Sequence, residues 1–246
     1  MKLAAVILAP LQREIGGLGR VHSRSALNLA TWLSPAFPTG AFSYSHGLET
    51  AIADGRLRTP EEVEAWIAAL LTNGSGWGDA VLLAEAWRAA ADGDFGRIRR
   101  AAELGTAMSP SAERQRETTA LGEAFLKAVM AGWPSSALSG AMAAAGEAMP
   151  YPVAVGVAAA AHDLPLGDTL ALSLNAFVST LVSVAVRLVP LGQSAGLRIQ
   201  AALQPLILAT AVRAERSTLD DLGSAAILSD IASMRHETLY SRVFRS

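Results

Sequence analysis

The chain has 246 residues, 51% hydrophobic and 17% charged, with 20 Lys+Arg against 22 Asp+Glu and a net charge of −2. That balance excludes disorder over most of the length and the basic footprint of a nucleic-acid-binding surface. It contains no cysteine, which excludes disulfides, thiolate chemistry and cysteine metal sites and fits a reducing cytosol.

Residues 1–25 lack helical periodicity and hold Gly16-Gly17-Leu18-Gly19 and the basic residues Arg20, His22 and Arg24. They read as an irregular extension, or as the product of a start site placed too early. Residues 1–10 carry one Lys and a short apolar run, as a truncated signal peptide does. No small-residue cleavage site follows and Gln12-Arg13-Glu14 interrupts, which argues against export.

From residue 26 the chain is rich in Ala and Leu, with Gly or Pro recurring at helix-length intervals. Ser34-Pro35-Ala36-Phe37-Pro38-Thr39-Gly40-Ala41-Phe42-Ser43-Tyr44-Ser45-His46-Gly47-Leu48-Glu49 is the densest cluster of distinctive residues. Pro35 and Pro38 fix two φ angles and steer Ser34 and Phe37 away from helix. Gly40 permits a positive φ. The spacing predicts a stiff loop feeding a helix that starts near Thr39–Phe42. Two readings stay open: a recognition edge, or a corner whose Phe37 and Phe42 plug the core. His46 and Glu49 are three apart and would share a helix face, as a capping pair or as two metal ligands.

Thr59-Pro60-Glu61-Glu62 is a strong helix start, with Val63, Trp66, Ile67, Leu70 and Leu71 at helical spacing as far as Asn73-Gly74. Glu61, Glu62 and Glu64 suit the solvated start of that helix, not a catalytic dyad. Further helices are expected over 78–91 and from Ser109-Pro110-Ser111 to Gly132-Trp133-Pro134. Others follow near 135–148, 152–162, 168–189 and 195–215. His162 is expected to cap a helix end.

Residues 169–186 form an uncharged run long enough for a membrane span. Its Thr, Ser and Asn content favours a buried central helix. Arg187 ends the run, either as a partner of the helix dipole or as a charge lining a cleft. Gln200 and Gln204, four apart, share a face of the next helix. A last helix is expected from about Ser217–Asp220, with Leu219, Leu222, Ala226, Ile227 and Leu228 inward. The whole predicts an all-α fold: one domain of about ten helices over 26–234, without repeats or linkers.

The segment 235–246 interleaves Leu239, Tyr240, Val243 and Phe244 with Arg235, Arg242 and Arg245. Aromatic anchors flanked by Arg belong to interface cores, so this tail either folds back or docks into another protein; the second reading is preferred. No Gly-x-Ser-x-Gly elbow and no P-loop is present, and His22, His46, His162 and His236 form no metal-binding pattern. The residues thus point to no catalytic, cofactor or metal site.

At three places the chain resembles one family, the urease accessory protein UreF. They are the stretch Ser34–Glu49, Arg187-Leu188-Val189-Pro190-Leu191-Gly192-Gln193, and Met234-Arg235-His236-Glu237-Thr238 with Tyr240-Ser241-Arg242-Val243-Phe244-Arg245-Ser246. The likeness covers about residues 27–246, and the first and last motifs are the specific ones. It implies an all-α, non-enzymatic, cytoplasmic chaperone that helps load nickel into apo-urease. It further implies a dimer that binds the accessory protein UreD (also called UreH) and recruits the GTPase UreG.

Carried over by position, the partner-binding residues would be Ser34, Pro35, Phe37, Pro38, Gly40, Phe42, His46, Glu49, Arg187, Gln193, Arg235, His236, Leu239, Tyr240, Arg242, Val243, Phe244 and Arg245. The tail would become ordered on the UreD-type partner. The chain would guide nickel without holding it tightly, since it lacks ligand density. A rival within the same complex is activation or gating of the GTPase, with Arg235, Arg242 or Arg245 inserted in trans. A small helical enzyme or a membrane protein is the reading from another class.

Overall fold

The computed structural model describes residues 20–145 and 149–246, with side chains from residue 24 onward. The readings made for residues 1–19 lie outside the described residues. The first helix, α1 (Arg20–Trp32), begins inside the stretch expected to be irregular. A 3-10 turn (Ala41–Ser43) and the short helix α2 (Leu48–Ala53) follow. Next come α3 (Pro60–Asn73), α4 (Ser75–Ala91), α5 (Phe95–Ala107) and α6 (Ala112–Gly132). The second half holds α7 (Ser136–Ala145), α8 (Tyr151–Ala160), α9 (Leu166–Leu188), α10 (Gln193–Glu215), a 3-10 turn (Leu219–Asp221) and α11 (Ile227–His236). The described residues contain no strand, and the fold is a single all-α domain.

Local chemistry sets several of these boundaries. Thr59 accepts from the Glu62 N–H while Glu62 accepts from the Thr59 N–H, and Pro60 opens α3. That reciprocal cap satisfies two donors that a helix start otherwise leaves orphaned. Asp94 and Ser111 cap α5 and α6 through side-chain oxygens that accept backbone N–H bonds. His162 reaches the Ala158 carbonyl at 2.8 Å and the Trp133 carbonyl at 3.0 Å, closing the end of α8.

The core is built on α4 and α8, which lie against each other through small residues. Pro152 to Ala159 of α8 are all buried. A Cβ on Gly156 would sit 2.4 Å from the Leu83 carbonyl oxygen, so only glycine allows this approach. Around this pair pack α3, α5, α6, α9 and α10. Trp32 ties α1 to the core through edge-on contacts with Phe125, Trp133 and His162 at centroid distances of 6.0, 5.7 and 5.1 Å.

Helices α9 and α10 are each long and apolar enough to cross a membrane by length and composition alone. Helix α9 buries Leu170, Leu174, Val178, Leu181 and Ala185 against its neighbours. Ser173, Ser179, Thr180 and Ser183 of the same helix line a cavity.

Two expectations need correction. Only a 3-10 turn (Ala41–Ser43) starts near Thr39–Phe42; Gly40 (φ 79), His46 (φ 53) and Gly47 (φ 76) break the backbone, and the α-helix α2 begins only at Leu48. Helix α11 begins at Ile227 and turns Ile227 and Leu228 outward, 65% and 56% exposed. Its inward face is Ser229, Ala232, Ser233 and His236. Small residues are required there because α11 presses on Gly47, where a Cβ would come 2.7 Å from the Ser233 nitrogen.

Candidate functional site

The left-handed pair His46–Gly47 turns the chain so that Glu49, in the first turn of α2, enters the interior beneath α11. A non-glycine residue held at positive φ stores strain that its surroundings must support. His46 is supported by Glu117, 3.2 Å from its Nε2, by Arg114 at 3.5 Å, and by the edge-on ring of Phe177. His46 and Glu49 therefore share no helix face: one points toward α6 and the other toward α11.

Helix α6 begins with an ionic face. Glu113, Arg114, Glu117 and Thr118 are buried and continue, one and two turns earlier, the apolar stripe of Leu121, Phe125 and Val129. Arg114 pairs with Glu117 and lies 3.7 Å from Asp79 of α4. Burial disfavours the Glu117 carboxylate, but Arg114, then His46, and hydrogen bonds from His46 and Ser246 reverse this. They hold Glu117 at about 2. Arg114 is likewise disfavoured by burial and more than compensated by Glu117 and Asp79, so its guanidinium is held as the cation.

The tail 235–246 lies on this ionic face. His236, 0% exposed, places Nδ1 2.6 Å from Glu113 Oε2 and Nε2 3.1 Å from Glu49 Oε2. Each ring nitrogen thus faces a carboxylate oxygen. Arg242 donates to Glu113 Oε1 at 2.6 Å. The N–H groups of Val243 and Phe244 donate to Glu49 Oε1 and Oε2 at 2.7 and 2.9 Å. The Ser246 hydroxyl donates to Glu117 at 2.6 Å, and the Ser45 N–H and hydroxyl both donate to the Ser246 carbonyl oxygen. The Arg245 N–H donates to the Ser43 carbonyl at 2.8 Å. Glu237 caps α6 by accepting from the Ala112 N–H at 2.7 Å.

Beside the ionic cluster lies a cavity of about 410 Å³. It is lined by His46, Asp79, Arg114 and Glu117 and by the polar residues Ser173, Ser179, Thr180, Ser183 and Arg187 of α9. Leu33, Ser34, Pro35 and Phe42 line it too. The first and middle motifs, distant in sequence, thus meet around one space. Arg187 combines both of its readings: it lies in the last turn of α9 and it lines a cleft.

The other motif residues are dispersed. Phe37 is buried against Phe125 and Trp133, whereas Phe42 is 58% exposed. Pro38 and Gly40 lie in the loop, with Gly40 left-handed as its turn requires. Gln193 starts α10 on the surface. Arg235 forms a surface fork with Asp54, at 2.5 and 3.2 Å. Leu239 is half-buried, and Tyr240, Arg242, Val243 and Arg245 are exposed. The tail is divided: Phe244 is 5% exposed while Val243 is 71% exposed and Tyr240 wholly so.

Sequence reasoning missed Ser45, Asp79, Glu113, Arg114, Glu117 and Ser246. Extending the apolar period of α6 backward lands on Glu113, Arg114, Glu117 and Thr118, which is the signal that would have found four positions of that face. Among the described residues, no three His, Cys, Asp or Glu side chains are grouped to hold a metal ion.

The family model for UreF matches residues 57–204. Among curated proteins, a urease accessory protein UreF of Rhodopseudomonas palustris (strain BisB5) is 49% identical over 238 residues, 97% of this chain and 98% of its own. One of Xanthobacter autotrophicus is 49% identical over 222 residues, covering 90% and 91% of the two chains. One of Bradyrhizobium sp. (strain BTAi1) is 49% identical over 218 residues, covering 89% and 90%. On this likeness, which spans nearly the whole chain, the protein belongs to the UreF family of urease accessory proteins.

Proposed function

We propose that this protein is a non-catalytic, cytoplasmic scaffold of urease maturation that bridges a UreD-type accessory protein and the GTPase UreG during nickel delivery. One observation carries the reading: the tail anchors Phe244 and His236 inside while presenting Tyr240 and Val243 to the outside. A rigid base with exposed aromatic and aliphatic anchors suits a docking segment, because little entropy remains to be lost on binding. Nickel is cargo here; the chain guides it without a tight site. Self-association is supported by α10, which leaves Leu197, Leu208 and Val212 exposed along its length.

The test is co-purification with the UreD-type partner. Tyr240→Ala combined with Val243→Ser removes the exposed anchors and none of the buried ones. Binding is expected to fall at least about tenfold while the fold is kept. Undiminished binding would remove the tail from the interface. A second reading, stimulation of the GTPase, is favoured by Arg245: among the described residues its side chain takes part in no ion pair, whereas Arg235 and Arg242 are engaged. GTP turnover by UreG with wild-type and Arg245→Ala protein separates activation from passive bridging.

A further inference from the structure

We propose that Glu49 is the positioning residue of the tail, setting the register that decides which of its side chains face a partner. Three donors converge on this one carboxylate. Val243 N–H uses Oε1, Phe244 N–H uses Oε2, and the His236 ring reaches Oε2 as well. The carboxylate is fixed from below, since α2 starts immediately before it and the Glu49 N–H donates to Ser45 Oγ at 3.4 Å.

Two successive backbone N–H groups held by two oxygens of one buried anion leave the segment no freedom to slide. Residues 243 and 244 lie at a bend, and successive N–H groups of a turn converge on an anion in this way. With the 243 and 244 amides held there, Phe244 lies inward and Val243 outward. A slip of one residue would put a different pair of amides on the carboxylate and move Phe244 out of its buried place. The carboxylate thus makes the outward surface rather than merely supporting the fold. Its consequence for partner binding rests on the docking role proposed above; the register assignment itself does not.

Glu49→Gln is the informative substitution. It keeps the shape but replaces one acceptor oxygen by an NH₂ donor, so at least one of the two tail amides must face a donor. Amide exchange measured by NMR on the full chain is expected to accelerate at least about tenfold at Val243 and Phe244, with the amides of α6 and α9 unchanged. A tenfold change corresponds to about 1.4 kcal/mol, the scale of one hydrogen bond to a charged group. Val243→Pro deletes one donor from an exposed position without touching the carboxylate, and is expected to act in the same direction.

Unchanged exchange at residues 243 and 244 in Glu49→Gln would overturn the assignment. So would equal acceleration throughout α2 and α6, which is the signature of a merely structural residue. Should the tail amides open while co-purification with the UreD-type partner stays undiminished, the register assignment stands and the docking role falls.

Discussion

Glu117 is a buried carboxylate held in its charged form by its neighbours. Its value of about 2, against an ordinary 4.5, reflects Arg114 and His46 prevailing over burial. A carboxylate with a lowered folded value contributes stability that is fully present above its unfolded value and lost as pH falls through the folded one. The gap is worth on the order of 3 kcal/mol. Glu117→Gln is therefore expected to lower stability by roughly 3 kcal/mol at neutral pH, since it also leaves Arg114 buried without its closest partner. Denaturant titrations at a series of pH values check this: the deficit should shrink as pH falls from about 5 to about 2. A deficit constant with pH would mean that the charge is irrelevant and only packing was lost. Glu117 also illustrates what the sequence conceals. Its burial depends on α11 and the tail arriving from more than a hundred residues away, and a charged residue in the first turns of a helix otherwise reads as solvated.

At the scale of elements, close approach between helices is set by glycine and alanine, and equal substitutions should have opposite signs by location. Gly156 of α8 faces the Leu83 carbonyl of α4, a backbone atom that cannot swing aside. Gly156→Ala is expected to cost about 2 kcal/mol or more, through separation of α4 from α8. Gly140 lies within α7, where an added Cβ would have nothing within 4 Å. Gly140→Ala there should stabilise by roughly 0.5–1 kcal/mol, because alanine loses less backbone freedom in a helix. Thermal unfolding of the two variants gives the comparison; a loss in both would place α7 under a constraint that its open surroundings do not explain.

The same small residues explain which elements are legible in the sequence. Helix α3 and the boundaries of α8, α9 and α10 follow from caps, prolines and apolar spacing. Helix α5 escapes such reasoning because its buried positions are Ile98, Ala101 and Ala102 amid arginines, a weak apolar signal. Helix α11 has its faces reversed relative to expectation, since its inward side is largely serine and alanine and its large apolar residues look out. Patterns based on hydrophobicity fail where an approach to backbone demands small residues, as at Gly47.

For the whole molecule, the tail is part of the interior as well as part of the surface. Its composition marks it as unusual and argues for docking over folding back, whereas Phe244 and His236 are buried in the chain's own fold. Its two sides make both relations physically compatible: buried anchors on one, Tyr240 and Val243 on the other. Removing residues 237–246 would take Arg242 from Glu113, two N–H donors from Glu49, the Ser246 hydroxyl from Glu117 and the cap from α6. Three buried carboxylates would then lose partners at once, and breaking even one such pair costs about 3–5 kcal/mol. The deletion is expected to lower stability by at least about 3 kcal/mol, whereas Tyr240→Ala, at an exposed site, should stay within about 0.5 kcal/mol of the parent. Paired denaturation curves decide the matter. A deletion as stable as the full chain would make the tail an appendage, and the carboxylates of Glu49, Glu113 and Glu117 would have to be satisfied by water. If the deletion is destabilised as expected, its loss of partner binding mixes unfolding with lost contacts, and only the point substitutions on the outward face report on docking.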